Sequence, residues 1–361
     1  MRGPFGHVFI VVEENANYSD VIGDSSMPYL NDLARQYSLA TQYYGNAHPS
    51  IGNYFMMTVG DTVTNGDDYG RVVSEDNVVR RLVAAGRTWK SYAEDLPRIG
   101  YTGRRSGRYA RKHNVLALLS DVATDPTQAS HLVPFSQFAT DLAGRALPDY
   151  VFIVPNVCND AHDCPLRTAD DWLKRNIDPL VRSETFRQDG LLIIVFDESR
   201  AESRHGGGRI PCVIVSPKAK RGYQSTTLYQ HQSLLRLSLR ALGVTTFPNA
   251  AAAAPDMDEF FEPPQRPPHR VERGRAGLER ARRGHAQEAA TGLRHGRECP
   301  RLPWQVELEE EPRAPPGAGL ELERGPQRAH ELSSDREAQA GAREAIAVAA
   351  TGVSEGLEER C

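Results

Sequence analysis

Three uninterrupted runs of large apolar and β-branched residues constrain the fold of this chain more than any other feature. They are residues 7–12 (HVFIVV), 149–154 (DYVFIV) and 190–196 (GLLIIVF). A strand that is apolar at nearly every position is buried on both faces, and such strands are typical of parallel sheets covered by helices. The three runs therefore predict strands of a central parallel sheet.

Segments of helical periodicity lie between and after these runs. Apolar residues recur at helical spacing in residues 28–37, 53–59, 76–85, 169–181 and 230–242, and shorter strand-like runs lie at 88–92 and 210–215. Strands that alternate with helices indicate the α/β class, with three layers (α/β/α) and a mostly parallel central sheet. Residues 101–146 contain a basic stretch (GRRSGRYARKH) and give no such clear pattern.

Polar side chains with oxygen or imidazole groups follow all three apolar runs. Ligands of open parallel sheets bind beyond the carboxyl ends of the strands. Taken singly, each of these residues can also be a helix cap or a solvated loop residue. Together they favour a site for a divalent cation such as Ca²⁺, Mg²⁺, Mn²⁺ or Zn²⁺. They are Glu13, Glu14 and Asn15 after the first run, Asn156, Asn159, Asp160, His162 and Asp163 after the second, and Asp197 and Glu198 after the third.

The composition changes abruptly near residue 250. All aromatic residues except Trp304 lie in residues 1–261, and no lysine follows Lys220, whereas arginine continues to the C-terminus. The later segment has too few large apolar side chains to offset the entropy cost of ordering the chain. We predict one globular domain over residues 1–250 and a low-complexity, disordered tail over residues 251–361, whose composition also fits a translated frameshift.

Charge, hydropathy and cysteine content exclude several roles and leave others open. A net charge of −4 gives no general attraction to nucleic acid, and no stretch of 18 or more apolar residues predicts a membrane span. The chain starts without a recognisable leader, so either the protein is cytoplasmic or its start omits a leader. Cys158 and Cys164 flank a short polar loop (CNDAHDC), where a disulfide in an exported protein and a zinc site are the alternatives.

Motifs in successive parts of the chain, from residue 7 to residue 244, occur together and in a recognisable order. They are HVFIVVEENANYSDVIG, MPYLNDLA, YYGNAHPSIGNYFMMTVG, PNVCNDAHDC, LLIIVFDES and GGRIPCVIVSPKAKRGYQSTTLYQHQSLLRLSLRALGV. This set resembles the phosphoesterase family that contains bacterial phospholipase C and acid phosphatases, whose members are commonly exported. The resemblance implies an alkaline-phosphatase-like fold and hydrolysis of phosphate esters with a bound divalent metal ion.

The resemblance also implies a nucleophile and metal ligands. Ser50 in HPSIGNY matches the serine or threonine that opens a helix in this superfamily, where metal and the helix N-terminus favour attack on a phosphate. A plain helix N-cap is the alternative role for Ser50. Glu14 would ligate the metal, and the amide of Asn15 would contact metal or a phosphate oxygen. Asp197 and Glu198 match the family's acidic pair and would be further ligands.

Five other residues receive supporting roles from the same resemblance. Asn53 would contact the transferring phosphoryl group, and His48 would protonate the leaving group or orient the phosphate. His231 would lie near the metal or the phosphate, with a capping or surface role as its alternative. Asp160 and His162 lie in the loop after the second run and would contact the metal.

The chain departs from the family pattern at two positions. Gly52 stands where the family often has proline, which should loosen the turn without removing a ligand. Arg209 stands where some relatives carry histidine, while His205 lies just upstream. We therefore regard His205 either as a candidate ligand or as an exposed loop residue.

The predicted function is metal-dependent hydrolysis of phosphomonoesters through a phosphoserine intermediate on Ser50. The substrate would be a small-molecule phosphoester or a phospholipid head group. The alternatives are a phospholipase C-type phosphodiesterase and a non-catalytic protein that binds metal or a phosphorylated ligand on the same fold. The compact globular part, with no large appended lipid-binding domain, favours the monoesters. The sequence predicts no particular metal ion or oligomeric state.

Overall fold

The structure is a computed structural model that describes residues 3–262. The predicted tail from residue 263 onward lies outside these described residues. The described part contains twelve strands, most of which belong to one sheet. They are β1 (His7–Glu13), β2 (Ser38–Ala40), β3 (Tyr43–Tyr44), β4 (Trp89–Ala93), β5 (Arg105–Ser106), β6 (Tyr109–Ala110), β7 (Leu132–Pro134), β8 (Tyr150–Val154), β9 (Gly190–Phe196), β10 (Cys212–Val215), β11 (Tyr223–Ser225) and β12 (Tyr229–Gln230).

Helices connect most of these strands. Among residues 3–262, no helix is both long enough and apolar enough to cross a membrane. The α-helices are α1 (Tyr18–Val21), α2 (Pro28–Gln36), α3 (Ile51–Thr58), α4 (Val78–Ala84), α5 (Ser120–Ala123), α6 (Pro126–Ala129), α7 (Ser136–Ala143), α8 (Leu166–Asn176), α9 (Asp178–Arg182), α10 (Glu184–Asp189) and α11 (His231–Ala241). Short 3₁₀ helices are formed by Arg111–His113, Val115–Leu118, Asn249–Ala252 and Asp258–Phe260.

The central sheet has eight strands in the order β11-β2-β10-β9-β1-β8-β4-β7. Only β10 runs antiparallel to its neighbours, so the prediction of a mostly parallel sheet is confirmed. The three apolar runs form β9, β1 and β8, which lie side by side at the centre. Every residue of β8 and β9 is buried, as expected for strands covered on both faces.

Helices pack in two groups, which complete the three-layer α/β/α arrangement. One group joins α2 with α8, α9 and α10, and the other joins α3 and α4 with α11. In α8 the buried residues Ala169, Trp172 and Leu173 recur at helical spacing, so the helix presents an apolar stripe to its neighbours. The predicted α/β fold class is therefore confirmed, and its helical layers bury the central strands.

The segment 169–181, predicted as one helix, forms two helices, so that prediction is corrected. α8 ends at Asn176 and α9 begins at Asp178. Pro179 has no amide hydrogen to donate to the carbonyl of Arg175, and its ring disfavours helical geometry at the preceding residue. The proline therefore interrupts the helix although the apolar periodicity continues through it.

The packed part of the chain continues past residue 250, where the predicted globular domain ends. Met257 and Phe260 are buried. The ring of Phe260 lies 5.8 Å from the rings of both Tyr223 and Tyr229. Residues 251–262, assigned by composition to the tail, therefore belong to the packed part of the described structure: the 3₁₀ helix Asn249–Ala252 lies against α11, and Asp258–Phe260 lies against β11.

Replacing Glu259 with glutamine should reduce stability, with the larger loss at neutral pH. Although partial burial works against ionisation, hydrogen bonds from Ser225, Tyr229 and Tyr223 lower the pKa of the Glu259 carboxyl to about 2. Such a carboxyl stabilises the fold above its unfolded-state pKa near 4.5, and this contribution is lost as the pH falls toward about 2. Solvent screening at this half-exposed position limits the expected loss to about 1 kcal/mol.

Urea unfolding of the wild type and of Glu259→Gln at several pH values measures this difference. The exposed Glu262, in the same segment, supplies the matched control Glu262→Gln, which should change stability little. Equal stability of wild type and Glu259→Gln at neutral pH would show that the tyrosine and serine contacts do not stabilise the charged form.

Candidate active site

The carboxyl ends of the three central strands meet at one edge of the sheet. β1 lies between β9 and β8 and is parallel to both. The backbone N–H of Asn15 donates to Asp197 Oδ1 at 3.0 Å, and the N–H of Glu14 donates to the carbonyl oxygen of Asp160 at 2.7 Å. Residues that are far apart in the sequence are thus direct neighbours at this edge, in the arrangement that the strand ends predict.

Ser50 lies directly before α3, with its side chain directed at two carboxylates. The residue is 1% exposed. Its Oγ donates to Glu14 Oε2 at 2.9 Å and lies 3.4 Å from Glu198 Oε1. It makes no side-chain capping bond to α3, so the alternative of a plain helix cap does not describe this residue. The hydroxyl also lies at a helix N-terminus, where the backbone favours an anion.

Glu14 is the centre of the contacts around Ser50. Its Oε1 accepts a hydrogen bond from the hydroxyl of Tyr54 at 2.6 Å and lies 3.3 Å from His113 Nε2. The rings of Tyr54 and His113 stack with centroids 5.3 Å apart. The other ring nitrogen of His113, Nδ1, lies 3.1 Å from Asp160 Oδ2. A carboxylate behind a histidine in this way orients the ring, an arrangement common around metal-binding histidines.

The cluster concentrates negative charge where there is little solvent. Burial, and then the charges of Asp197 and Asp160, raise the pKa of the Glu14 carboxyl well above its usual value. Burial and the charge of Asp197 raise the pKa of Glu198 to about 7, and burial raises that of Asp160 to about 7. These shifts mean that the ionised forms are unfavourable without a positive charge nearby, and a cation would favour them again.

The donor atoms of the cluster fit a divalent cation. One ligand atom from each of Glu14, His113 and His162 lies within 4.8 Å of the other two. Within the described residues, His113 Nε2 and Asp197 Oδ2 are buried and have no hydrogen-bond partner. Burial lowers the pKa of His113 to about 3, which keeps the imidazole neutral, as a ligand must be. Carboxylate oxygen and imidazole nitrogen together suit Zn²⁺ or Mn²⁺.

Two more of the predicted site residues lie in the same cluster. The side chain of Asn15 donates to Glu14 Oε2 at 3.2 Å, from a residue with a φ of 46°. Asparagine tolerates this left-handed conformation better than most residues. His48 Nδ1 lies 2.6 Å from Glu198 Oε2, and its Nε2 lies 3.0 Å from the carbonyl oxygen of Glu202. His48 therefore lies beside the carboxylate that faces Ser50.

The loop after β8 reaches the cluster through two residues with different contacts. Asp160 accepts from the backbone N–H of His162 at 2.8 Å and contacts His113, so it positions another side chain. His162 Nδ1 lies 2.7 Å from Asp163 Oδ1, and its Nε2 lies 3.5 Å from Lys112 Nζ. A disulfide between Cys158 and Cys164 closes this loop, in agreement with the first of the two predicted alternatives.

Two predicted phosphate contacts, Asn53 and His231, do not face the cluster with free donors. Asn53 is fully buried, and its side chain accepts from the N–H groups of Asn46 and Ala47 and donates to the carbonyl of Ala47. His231 is also fully buried, with Nε2 2.7 Å from the carbonyl oxygen of Asp197. We revise both roles: Asn53 braces the loop before Ser50, and His231 supports the backbone at Asp197.

His205 and Arg209, from the loop where the sequence departs from the family pattern, also lie away from the cluster. The ring of the exposed His205 contacts Tyr44, with centroids 4.4 Å apart. Arg209 donates through Nε to the carbonyl of Thr41 at 2.7 Å, and its guanidinium lies 3.8 Å from the ring centroid of Tyr18. His205 is therefore an exposed loop residue in this structure, and Arg209 has a structural role.

Sequence reasoning missed His113, Tyr54 and Lys112. His113 and Lys112 belong to the short 3₁₀ helix Arg111–His113, in the basic stretch that gave no clear pattern. Lys112 pairs with Asp67 at 2.7 Å. Tyr54 lies on α3, one helical turn after Ser50, which directly precedes the helix. This spacing was the one sequence signal that could have placed Tyr54 beside Ser50.

Replacing His113 with glutamine should weaken metal binding by at least about tenfold, because a neutral imidazole donor next to Glu14 is lost. Isothermal titration of the metal-free protein with Zn²⁺ or Mn²⁺ measures the affinity. His131 packs edge-on against Trp89 and provides the control His131→Gln, which should bind metal like the wild type. Unchanged affinity in His113→Gln would remove His113 from the ligand set.

A cavity of about 530 Å³ lies away from this cluster, between α2 and the helices α8, α9 and α10. Its charged side chains include two pairs that neutralise each other: Arg167 with Asp171 at 3.0 Å, and Arg182 with Asp178 at 2.7 Å. None of the predicted site residues lines it. The chemistry of the strand ends, rather than the volume of this cavity, therefore identifies the candidate site.

Comparison with known sequences finds a family model and several relatives that match this chain. The model of the phosphoesterase family matches residues 24–244. A phosphate-repressible acid phosphatase of Penicillium chrysogenum is 34% identical over 62% of this chain and 55% of its own length. A phosphatidylinositol-3-phosphatase of Mycobacterium tuberculosis is 33% identical over 70% of this chain and 82% of its own length. The chain thus spans about half the length of the fungal relative.

Comparison with solved structures gives more distant similarities. A protein of the alkaline phosphatase superfamily from Vibrio parahaemolyticus is 13% identical, with a TM-score of 0.49 over 71% of both chains. The lipoteichoic acid synthase LtaP of Listeria monocytogenes is 12% identical, with a TM-score of 0.47 over 68% of this chain and 73% of its own.

Proposed function

The chain belongs to the phosphoesterase family, and from that premise we propose that it is a metal-dependent hydrolase of phosphomonoesters with Ser50 as its nucleophile. One observation carries the proposal: the Ser50 hydroxyl lies 2.9 Å from Glu14 and 3.4 Å from Glu198, at the strand ends where imidazole and carboxylate donors also gather. A hydroxyl that is buried among acidic groups has no structural purpose there as a helix cap.

Glu14, His113 and His162 would hold the metal ion, with Asp197 and its partnerless Oδ2 as a further candidate ligand. When bound, a divalent cation would neutralise phosphate oxygens and stabilise the charge that develops on them. Asn15 would turn its amide toward the same region, next to Glu14. The roles that the resemblance implies for Glu14, Asn15, Asp197 and His162 are thus retained in the proposal. Glu198 and Asp160, also expected as ligands, instead act as the base beside Ser50 and as the carboxylate that orients His113.

The chain's own residues would move the protons. Ser50 Oγ attacks phosphorus and passes its proton to Glu198, while the bond from phosphorus to the ester oxygen breaks. The departing oxygen takes a proton from His48, whose Nδ1 lies 2.6 Å from Glu198 and whose Nε2 turns from the carbonyl oxygen of Glu202 to the departing oxygen. In the second step a water molecule attacks phosphorus and passes a proton to His48, the bond from phosphorus to Oγ breaks, Oγ regains its proton from Glu198, and phosphate leaves.

The names of the relatives support phosphomonoesters as the substrate class. The fungal relatives from Penicillium chrysogenum and Aspergillus fumigatus are named acid phosphatases, and the mycobacterial relative is named a phosphatidylinositol-3-phosphatase. Each of these names is that of a phosphatase. We propose that this chain likewise removes phosphate from a monoester, in a small molecule or in a lipid head group.

A substrate panel combined with metal analysis tests the proposal. The purified protein is stripped with EDTA, reloaded with single metals, and assayed with p-nitrophenyl phosphate, bis-p-nitrophenyl phosphate and phosphatidylcholine. We expect turnover of the monoester that is lost on stripping and restored by one or more divalent ions. Faster turnover of the two diesters would indicate a phospholipase C-type enzyme, and bound metal without any turnover would indicate a binding protein.

A further inference from the structure

The basic stretch between β4 and β7 carries positive charges that no carboxylate of the described residues neutralises. Residues 96–120 contain six lysine and arginine residues and no aspartate or glutamate. Lys112 is the one of these that forms an ion pair within the described residues, with Asp67. The remaining five are arginines, and no carboxylate in residues 3–262 pairs with them: Arg98, Arg104, Arg105, Arg108 and Arg111.

Three of these arginines lie on one small element, residues 104–110, which we name the arginine hairpin. It consists of the antiparallel strands β5 and β6 and the turn between them. Arg104, Arg105 and Arg108 are exposed. Arg105 donates only to the carbonyl of Gly107, at 3.4 Å, and the side chains of Arg104 and Arg108 make no hydrogen bond to other described residues. Their guanidinium groups are therefore available to a ligand.

The arginine hairpin is connected to the candidate site at two points. β6 leads directly into the 3₁₀ helix that ends at His113, so about 13 Å of backbone separates Arg108 from that residue. On the other side, the carbonyl of Arg108 accepts from the N–H of Val157 at 3.2 Å. Val157 lies in the loop that carries Asp160 and His162. The exposed arginines therefore lie at the rim of the site.

The hairpin is held in place by its aromatic residues. Tyr109 is 1% exposed, and its ring packs edge-on against Tyr101 with centroids 5.9 Å apart. The hydroxyl of Tyr101 donates to the carbonyl of Arg105 at 3.0 Å. An anchored backbone reduces the entropy that is lost when the arginine side chains take up a ligand.

A solvated, functionless basic face is the simpler explanation for a charge run, but it does not account for this one. Some exposed arginines of the described structure pair with carboxylates, as Arg145 does with Glu184, and others, such as Arg175 and Arg187, do not. The arginine hairpin differs from these in that three unpaired arginines lie within five residues, next to the loop that carries Asp160 and His162. Guanidinium groups match phosphate oxygens in a planar, two-bond geometry. Unpaired arginines beside a phosphate-cleaving centre are best explained by a second phosphate.

We propose that the arginine hairpin binds a second phosphate on the substrate, so that the site prefers small molecules with two phosphate groups over simple monoesters. The inference rests on the proposed function, because it concerns the substrate of the same site. The second phosphate does not react, and its contacts are therefore present before and during cleavage. Their loss should appear mainly as a higher KM.

Matched sugar phosphates test the inference. The wild type is assayed with fructose 1,6-bisphosphate, fructose 1-phosphate and fructose 6-phosphate, so that each scissile ester has a partner without the second phosphate. We expect kcat/KM for the bisphosphate to exceed that for either monophosphate by about tenfold or more. In R104A/R105A/R108A this ratio should fall toward one, through an increase in KM for the bisphosphate.

A second triple variant controls for net charge. R175A/R182A/R187A removes three exposed arginines from α8, α9 and α10, near the opposite edge of the sheet, and should keep the wild-type ratio. All six side chains are exposed, so both variants should fold. An equal loss in both variants would mean that long-range attraction, not the hairpin, causes the preference, and the inference would be wrong.

The remaining outcomes separate the inference from the proposed function. Turnover of the monophosphates with no preference for the bisphosphate, or a preference that R104A/R105A/R108A retains, overturns the inference and leaves the proposed function standing. No turnover of any phosphoester by the metal-loaded wild type overturns both. If the triple variant loses activity only toward phosphatidic acid in vesicles that contain phosphatidylglycerol, the hairpin contacts anionic membranes and the inference also fails.

Discussion

Replacement of Ser50 with alanine is expected to lower kcat/KM for p-nitrophenyl phosphate by at least about 10³-fold, because the proposed nucleophilic oxygen is removed. Ser50 Oγ is the hydroxyl that contacts both Glu14 and Glu198, so no neighbouring group can replace it in the same position. Metal content should remain close to that of the wild type, since the candidate ligands are untouched. Rapid acid quenching during turnover should trap phosphate on Ser50 of the wild type and none on the variant.

A serine at another helix start provides the control for this substitution. Ser136 is the first residue of α7 and is exposed, so Ser136→Ala should keep full activity. If Ser50→Ala kept most of its turnover while its metal content was normal, the attacking group would have to be water, and the phosphoserine step would be wrong.

Replacement of Glu14 with glutamine is expected to weaken metal binding by at least about 100-fold and to abolish turnover to a similar or greater extent. Glutamine has the same shape but no charge, and its NH₂ group would face the hydroxyl donors of Ser50 and Tyr54. In contrast to metal affinity and turnover, the stability of the metal-free protein should increase in Glu14→Gln. Burial and nearby carboxylates raise the pKa of Glu14, so its charged form destabilises the metal-free fold as the pH rises above the usual carboxyl range.

Glu13→Gln is the matched control, one residue earlier on the same strand. Successive side chains of a strand point to opposite faces, and the Glu13 carboxylate makes no hydrogen bond to any described residue. Burial and nearby carboxylates also raise the pKa of Glu13, so both variants should melt higher than the metal-free wild type at neutral pH. Only Glu14→Gln should lose metal affinity. Loss of metal affinity in both variants would mean that any such substitution at the end of β1 disturbs the site, and Glu14 would not be identified as a ligand.

The central strands could be predicted because a strand that is buried on both faces is apolar at successive positions of the sequence. Every residue of the run 190–196 is apolar, apart from the glycine that starts it, and this run became the strand beside β1 in the sheet. Predictions from local sequence patterns were wrong in two places. Pro179 divided a segment whose apolar spacing looked continuous, and residues 251–262 packed against α11 and β11 although their composition resembles that of the tail.

The candidate site was predictable in part. Glu14, Asp197 and Glu198 follow central strands, so the topology of a parallel sheet predicted their proximity before any distance was known. His113 follows no strand of the sheet; a 3₁₀ helix in a long connection carries it to Glu14. Asn53 and His231 lie near Ser50 and Asp197, as expected, but their side chains turn to the backbone.

Apolar runs and the polar residues after them are properties of neighbouring residues, so local sequence patterns specify the layers of this protein and the edge of the sheet where its chemistry lies. Which side chains meet Ser50 depends on directions and distances between segments such as residues 111–113 and 14, and these follow from the tertiary fold. Each polar side chain in a buried site has several possible hydrogen-bond partners, and the whole fold determines which of them it bonds. For this reason His113 entered the candidate metal site and Asn53 left the predicted phosphate site.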